Sequence, residues 1–139
     1  MITYLVVTPF SQSASHGINN YVFNLLPYLA KRNIKVDTLF NDNNLSKEDF
    51  RIHVKKYVET NYGFEDVIIE APEVKGATLL LDKKYRTHVR LHTPGAIAQK
   101  YDDKTIDEDL FNEEIRAIET ATVVSSPSYG LIEELSDKV

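Results

Sequence analysis

The sequence predicts one α/β domain of three layers, α/β/α, with an open parallel sheet and helices on both faces. Three observations carry that expectation. Apolar runs of strand length alternate with amphipathic runs of helix length from one end of the chain to the other. Each passage between strands holds a helix, which implies parallel pairing through right-handed crossovers. No internal repeat or low-complexity tract competes with the alternation.

The elements follow in order. Met1 to Phe10 (MITYLVVTPF) reads as a buried strand, and Ser11 to His16 as a small polar loop. Gly17 opens an amphipathic run in which Ile18, Val22, Leu25, Leu26 and Leu29 recur at helical spacing. Pro27 removes the N–H that bonds to the carbonyl of Phe23, so a kink or a loosened turn is expected there. Ile34 to Phe40 is the second strand, left through the turn residues Asn41 to Asn44.

Ser46 caps a helix from Lys47 to about Tyr62, which puts Phe50, Val54, Tyr57 and Val58 on one side and Lys47, Arg51 and Lys55 on another. Gly63 stops it. Asp66 to Ala71 (DVIIEA) is a third strand, followed by Pro72 and a short helix with Val74, Ala77 and Leu81 inward. His88 to His92 (HVRLH) is the fourth strand. Thr105 and Glu108 form a capping box before a helix that turns Leu110, Phe111, Ile115 and Ile118 inward. Thr122 to Ser126 is the fifth strand, and Ser128 begins a helix that continues to Val139. In a parallel sheet the strand ends at Thr8, Phe40, Glu70, His92 and Ser126 emerge along one edge, where ligands of α/β domains bind.

Composition excludes several classes. With 139 residues of which 42% are hydrophobic, the chain has enough apolar surface for one independent core, so disorder is not expected. A formal charge of -5 with dispersed basic residues argues against nucleic acid as a partner. The absence of cysteine removes disulfides and thiolate chemistry and fits a reducing compartment. The first residues carry neither a basic segment nor a long apolar stretch, so a cytoplasmic location is expected.

The opening loop is an anion-binding corner by layout, since a strand's carboxyl end leads through small residues onto unpaired helix N–H groups. It lacks the glycines of the dinucleotide fingerprint, because SQSASHG supplies only Gly17. Asp37 lies at about the right distance for a ribose contact but falls inside its strand. No Gly-Lys-Ser/Thr triplet is present either. A helix N-cap without a ligand is the plain alternative for Gly17.

Taken together, the opening strand, the loop ending in glycine, the helix INNYVFNLLPYLAKRN, the strand start IKV, and the later stretches FEDVIIE, HVRLHTP and ETATVVSSPSYGL resemble the Rossmann-like N-terminal domain of two-domain (GT-B) glycosyltransferases, of the group 1, family 4-like kind. The likeness runs through essentially the whole chain. It departs from the family pattern at His16-Gly17, where many members have paired glycines, at Asn33-Ile34, where many have Gly-His, and at Pro27.

The resemblance implies that residues 1–139 are the acceptor-side half of such an enzyme. The donor-binding C-terminal domain would then be absent from the chain, and no turnover is expected from this half alone. The implied partners are a nucleotide-sugar donor, a glycan or lipid-linked acceptor, and the chain's own C-terminal domain.

It also implies site residues. His92 matches the histidine that reaches the transferred sugar, and a neutral imidazole there donates a hydrogen bond to a sugar hydroxyl or orients the acceptor. His16 and Gly17 are placed beside the donor phosphates. Ser11, Ser13, Thr93 and Ser126 offer hydroxyls on the acceptor side, although serines are also ordinary loop formers. His88, at the start of its strand, is expected at the opposite edge and structural. Ser128 reads as a helix cap, and no histidine and acid are expected to form a triad with it or with Ser126.

No cofactor and no metal are expected. Asp107-Glu108-Asp109 spells an acidic triplet, but it falls in a first helical turn where the macrodipole favours negative charge, and the histidines lack ligand spacing. Lys47, Arg51, Lys55 and Lys56 make a basic helix face, read as solvated, with weak peripheral contact to the inner membrane face as the alternative. Two rivals stand beside the transferase reading. One is a non-catalytic flavodoxin-like binding module, the other a nucleotide-sugar epimerase or dehydrogenase.

Overall fold

The computed structural model of the chain describes residues 2–14, 17–92 and 107–127. Five strands form one parallel sheet: β1 (Thr3–Thr8), β2 (Lys35–Phe40), β3 (Val67–Pro72), β4 (Arg86–Arg90) and β5 (Val123–Ser125), in the order β2-β1-β3-β4-β5. Among the described residues three helices lie between the strands: α1 (Gly17–Lys31), α2 (Lys47–Asn61) and α3 (Glu108–Glu119). This is a Rossmann-like α/β arrangement.

Register decides which side chains share a face. Leu5 pairs with Ile69, Val7 with Leu39, and Ala71 with Val89, so these residues point the same way. Phe50, Val54 and Val58 of α2 pack on that face, and Ile115 and Ile118 of α3 cover Val89 and Leu91 beside them. Burying a side chain such as Val54 or Phe50 stabilises the fold by about 1.5–3 kcal/mol relative to leaving it in water. Helix α1 covers the other face with Ile18, Val22 and Leu29, and its Phe23 stacks on Phe40 of β2 at 6.0 Å.

The helix ends have chemical causes. The Ser46 hydroxyl accepts from the Asp49 N–H at 3.1 Å, and Glu48 and Asp49 place charge where the helix dipole favours it. At the end of α1, Asn33 takes a left-handed φ of 59°, a conformation that asparagine tolerates and that other residues with a Cβ resist. Helix α1 runs through Pro27 from Gly17 to Lys31.

Several expectations are corrected. The segment after Pro72 is a short turn, Val74–Gly76, and not a regular helix, because Lys75 and Gly76 both have positive φ (63° and 60°), which breaks a right-handed helix. Strand β4 lies two residues earlier than expected, so His88 sits in its middle and His92 two residues beyond its end. Strand β3 likewise runs on to Pro72, leaving Glu70 inside the strand. Asp107 caps α3, accepting the Leu110 N–H at 3.0 Å. Thr105 and Ser128 lie outside the described residues.

Candidate functional site

Strand order locates the crevice. From β1 the chain goes to β2 on one side and returns through α2 to β3 on the other, so the carboxyl ends of β1 and β3 are where the connections diverge. Open α/β sheets bind ligands at this switch point.

The loop after β1 forms one wall. Asn41 holds it from the side by donating to the Pro9 carbonyl at 3.2 Å, and its own N–H reaches the Phe10 carbonyl at 3.1 Å. Asn19, fully buried in the first turn of α1, donates to the carbonyls of Ser11 (2.7 Å) and Ala14 (3.3 Å), while its Oδ1 has no hydrogen-bond partner among the described residues. Ser11 and Ser13 share a hydrogen bond of 3.0 Å, and the Gln12 N–H reaches Asp42 at 2.8 Å. Both predicted serines thus take part in shaping the loop. Gly17 opens α1 at the end of this wall, and a Cβ built on it meets nothing within 4 Å. His16 lies outside the described residues.

The opposite wall is the exit of β3 and β4. Glu73, fully buried directly after β3, accepts the His92 N–H with both carboxyl oxygens, at 2.9 and 3.1 Å. The His92 ring stands edge-on to Tyr21 with centroids 5.4 Å apart, and Tyr21 is one helical turn from Gly17. His92 is therefore beside the opening of α1 on the switch-side edge. Lys75 sets its ammonium over the Phe10 ring at 4.9 Å, joining the two walls. Ser126 follows β5 on the same edge, half-buried. Thr93 lies outside the described residues.

The Glu73 carboxyl is raised to about 7: burial is the largest cause, the bonds from backbone N–H groups, that of His92 included, work against it, and the charge of Glu114 adds to the rise. Glu114, also fully buried, accepts the Lys75 N–H at 3.0 Å. Arg51 reaches the same turn, donating through Nε and Nη2 to the Lys75 carbonyl at 3.0 and 2.7 Å.

A second polar constellation crosses the α1 face of the sheet. Tyr4 donates to Glu70; the Tyr4 oxygen is 2.9 Å from His88 Nδ1, and His88 Nε2 is 2.6 Å from the Ser125 hydroxyl. Burial works against the Glu70 charge, but the bonds from His88 and Tyr4 outweigh it and hold the carboxyl below its usual range. Burial, then the bond to Glu70, raises the Tyr4 hydroxyl far above its usual value, so it stays protonated and donating. With the Tyr4 hydroxyl hydrogen directed at Glu70, the Tyr4 oxygen is free to accept from Nδ1–H, and in the neutral imidazole that tautomer leaves Nε2 to accept from Ser125. His88 is thus central to a network rather than set at the far edge, and the serine hydroxyl it meets is that of Ser125.

The basic side of α2 is not simply solvated. Arg51 is buried and pairs with Glu113 of α3, Lys47 pairs with the same carboxylate at 2.7 Å, and Lys55 pairs with Glu59 at 2.6 Å. Lys56 is exposed. A depression of about 940 Å³ lined by Ile2, Phe64, Asp66, Lys84 and Arg86 lies at the amino edge, away from the switch point. Among the described residues no group of three or more His, Asp or Glu side chains is placed to hold a metal, and no helix is long and apolar enough to cross a membrane.

Sequence reasoning missed Tyr21, Asn19 and Glu73. A signal existed for each: Tyr21 and Asn19 lie within a turn or so of Gly17, and Glu73 is an acid immediately after a strand-ending proline. The chain matches no protein-family model and no curated protein.

Proposed function

We propose that this chain is the acceptor-side, N-terminal Rossmann-like domain of a GT-B glycosyltransferase that moves a sugar from a nucleotide-sugar donor to a hydroxyl of a glycan or lipid-linked acceptor. The observation that carries the reading is the placement of His92 against Tyr21, one turn from the Gly17 corner, at the crevice between β1 and β3. The ordered likeness of the sequence segments to that family supports it. In this reading the loop after β1 and the exit of β4 form one wall of a closing cleft. His92 donates to or orients a sugar hydroxyl, and a second domain stabilises the departing diphosphate. The reaction would run on the cytoplasmic side, with transient contact to the inner membrane face where the acceptor is a lipid.

The test uses the gene product that carries a donor-binding domain, assayed with a panel of nucleotide sugars. His92→Ala is expected to lower transfer about 100-fold, the usual loss when a hydrogen bond made in the transition state is removed, with unchanged folding by circular dichroism. Full activity in a folded variant retires His92 and with it this reading.

The strand order also suits a flavodoxin-like binding module without catalysis. Ligand-observed NMR on this chain separates the two, since only the transferase half is expected to show contacts to a nucleotide sugar or an acceptor glycan.

A further inference from the structure

The ladder between β3 and β4 ends with Pro72 opposite Arg90, and β3 then turns away into the Val74–Gly76 turn. Leu91 still donates sideways to the Ser125 carbonyl at 2.7 Å. The next N–H, that of His92, points back toward β3, where the backbone has departed. Both oxygens of Glu73 occupy that place. A buried N–H is rarely left unpaired, and a carboxylate is a stronger acceptor than the carbonyl it replaces.

We propose that Glu73 is a positioning residue for His92: its buried carboxyl fixes the backbone beyond β4 so that the imidazole stays against Tyr21 and faces the α1 opening. The role in sugar transfer rests on the reading of His92 given above. The coupling of the two residues does not. A carboxyl that changes charge near neutrality makes the hold pH-dependent, tight when ionised and weaker when neutral.

Other charges face the same place. Glu114 approaches from α3, Arg51 from α2 by way of the Lys75 carbonyl, Lys75 from the turn itself, and the His92 imidazole from the exit of β4. The ring resonances of His92 are therefore followed separately, so that its own titration is not mistaken for that of Glu73.

The experiment is amide NMR on the 139-residue chain from pH 5.5 to 8.5, with wild type, Glu73→Gln and Glu73→Ala. In wild type the His92 amide resonance is expected to move with a transition distinct from that of its ring. Glu73→Gln keeps an acceptor, so the amide stays protected while that transition disappears. Glu73→Ala leaves the N–H without a partner, and its hydrogen exchange is expected to quicken about tenfold or more. A transition that persists in Glu73→Gln, or an amide in Glu73→Ala exchanging at the wild-type rate, overturns the proposal. If Glu73→Ala does not fold, the comparison of wild type with Glu73→Gln decides alone. Loss of the transferase reading through an active His92→Ala enzyme leaves these NMR outcomes untouched, so the two failures are told apart.

Discussion

The ring of His92 meets that of Tyr21 edge-on, 5.4 Å apart and inclined at 69°, and this contact ties the exit of β4 to the second turn of α1. The guanidinium of Arg90 lies 5.2 Å from the centre of the same tyrosine ring. Burial, then the nearby charge of Glu70, pushes the Tyr21 hydroxyl up to about 12, so the ring stays neutral through the physiological range. Tyr21→Leu preserves apolar volume and removes the aromatic contact. It is expected to cost about 1 kcal/mol in stability and to shift the His92 ring protons by loss of the tyrosine ring current. Thermal melts with proton NMR check both, and unmoved His92 resonances would mean that the contact does not order the imidazole.

The network through Tyr4, Glu70, His88 and Ser125 predicts an acid-sensitive contribution to stability. The folded Glu70 carboxyl lies below its unfolded value of 4.5, so its stabilisation is present above that pH and is lost as pH falls through the folded value. Glu113, held down by Lys47 and Arg51 against its partial burial, acts in the same direction. Glu70→Gln gives up charge-assisted bonds worth about 1.5–3 kcal/mol at pH 7. The deficit should shrink as wild type protonates, so urea midpoints of the two proteins converge as pH falls below 4.5. A constant gap across that range would show that the Glu70 charge is not what the network uses.

The sheet and its helices were legible because each rests on local pattern: alternating apolar runs, the Ser46 cap, the glycine that opens α1. What escaped depends on register between distant segments. Tyr4 and Glu70 are 66 positions apart, and His88 and Ser125 are 37 apart, so nothing local to any of these residues marks the network. Arg51 belongs to a charged stripe by spacing, yet it is buried because Glu113 and the Lys75 carbonyl reach it from α3 and the turn. Strand β4 was misplaced because His88 to His92 continues the alternation past the ladder, whereas the N–H groups of Leu91 and His92 already bond to Ser125 and Glu73. Of the candidate site, His92 and Gly17 could be picked out by motif. The residues that orient His92 could not.

Glu73 predicts the opposite pH trend to Glu70. Its folded value near 7 exceeds the unfolded 4.5, so between them the folded state binds more protons and stability falls as pH rises. The full effect is on the order of 3 kcal/mol from the two values. Glu73→Gln removes that slope, and the variant is expected to match wild type near pH 5 and to exceed it at pH 8. Urea unfolding at those pH values measures the difference. A variant no more stable than wild type at pH 8 would show that burial does not weigh on this carboxylate.

Gly17 separates folding from function. Its added Cβ meets nothing within 4 Å and its φ lies outside the left-handed range, so neither packing nor backbone strain explains a glycine there. Alanine is the better helix former by up to about 1 kcal/mol, less at a first turn. Gly17→Ala should therefore fold with an unchanged or slightly raised Tm. If the donor diphosphate approaches this corner in the two-domain enzyme, the same methyl group occupies space the phosphate needs, and KM for the nucleotide sugar is expected to rise several-fold while the fold stays intact. An unchanged KM with a bulkier Gly17→Val in support would remove the phosphate from this corner and leave Gly17 as a helix start alone.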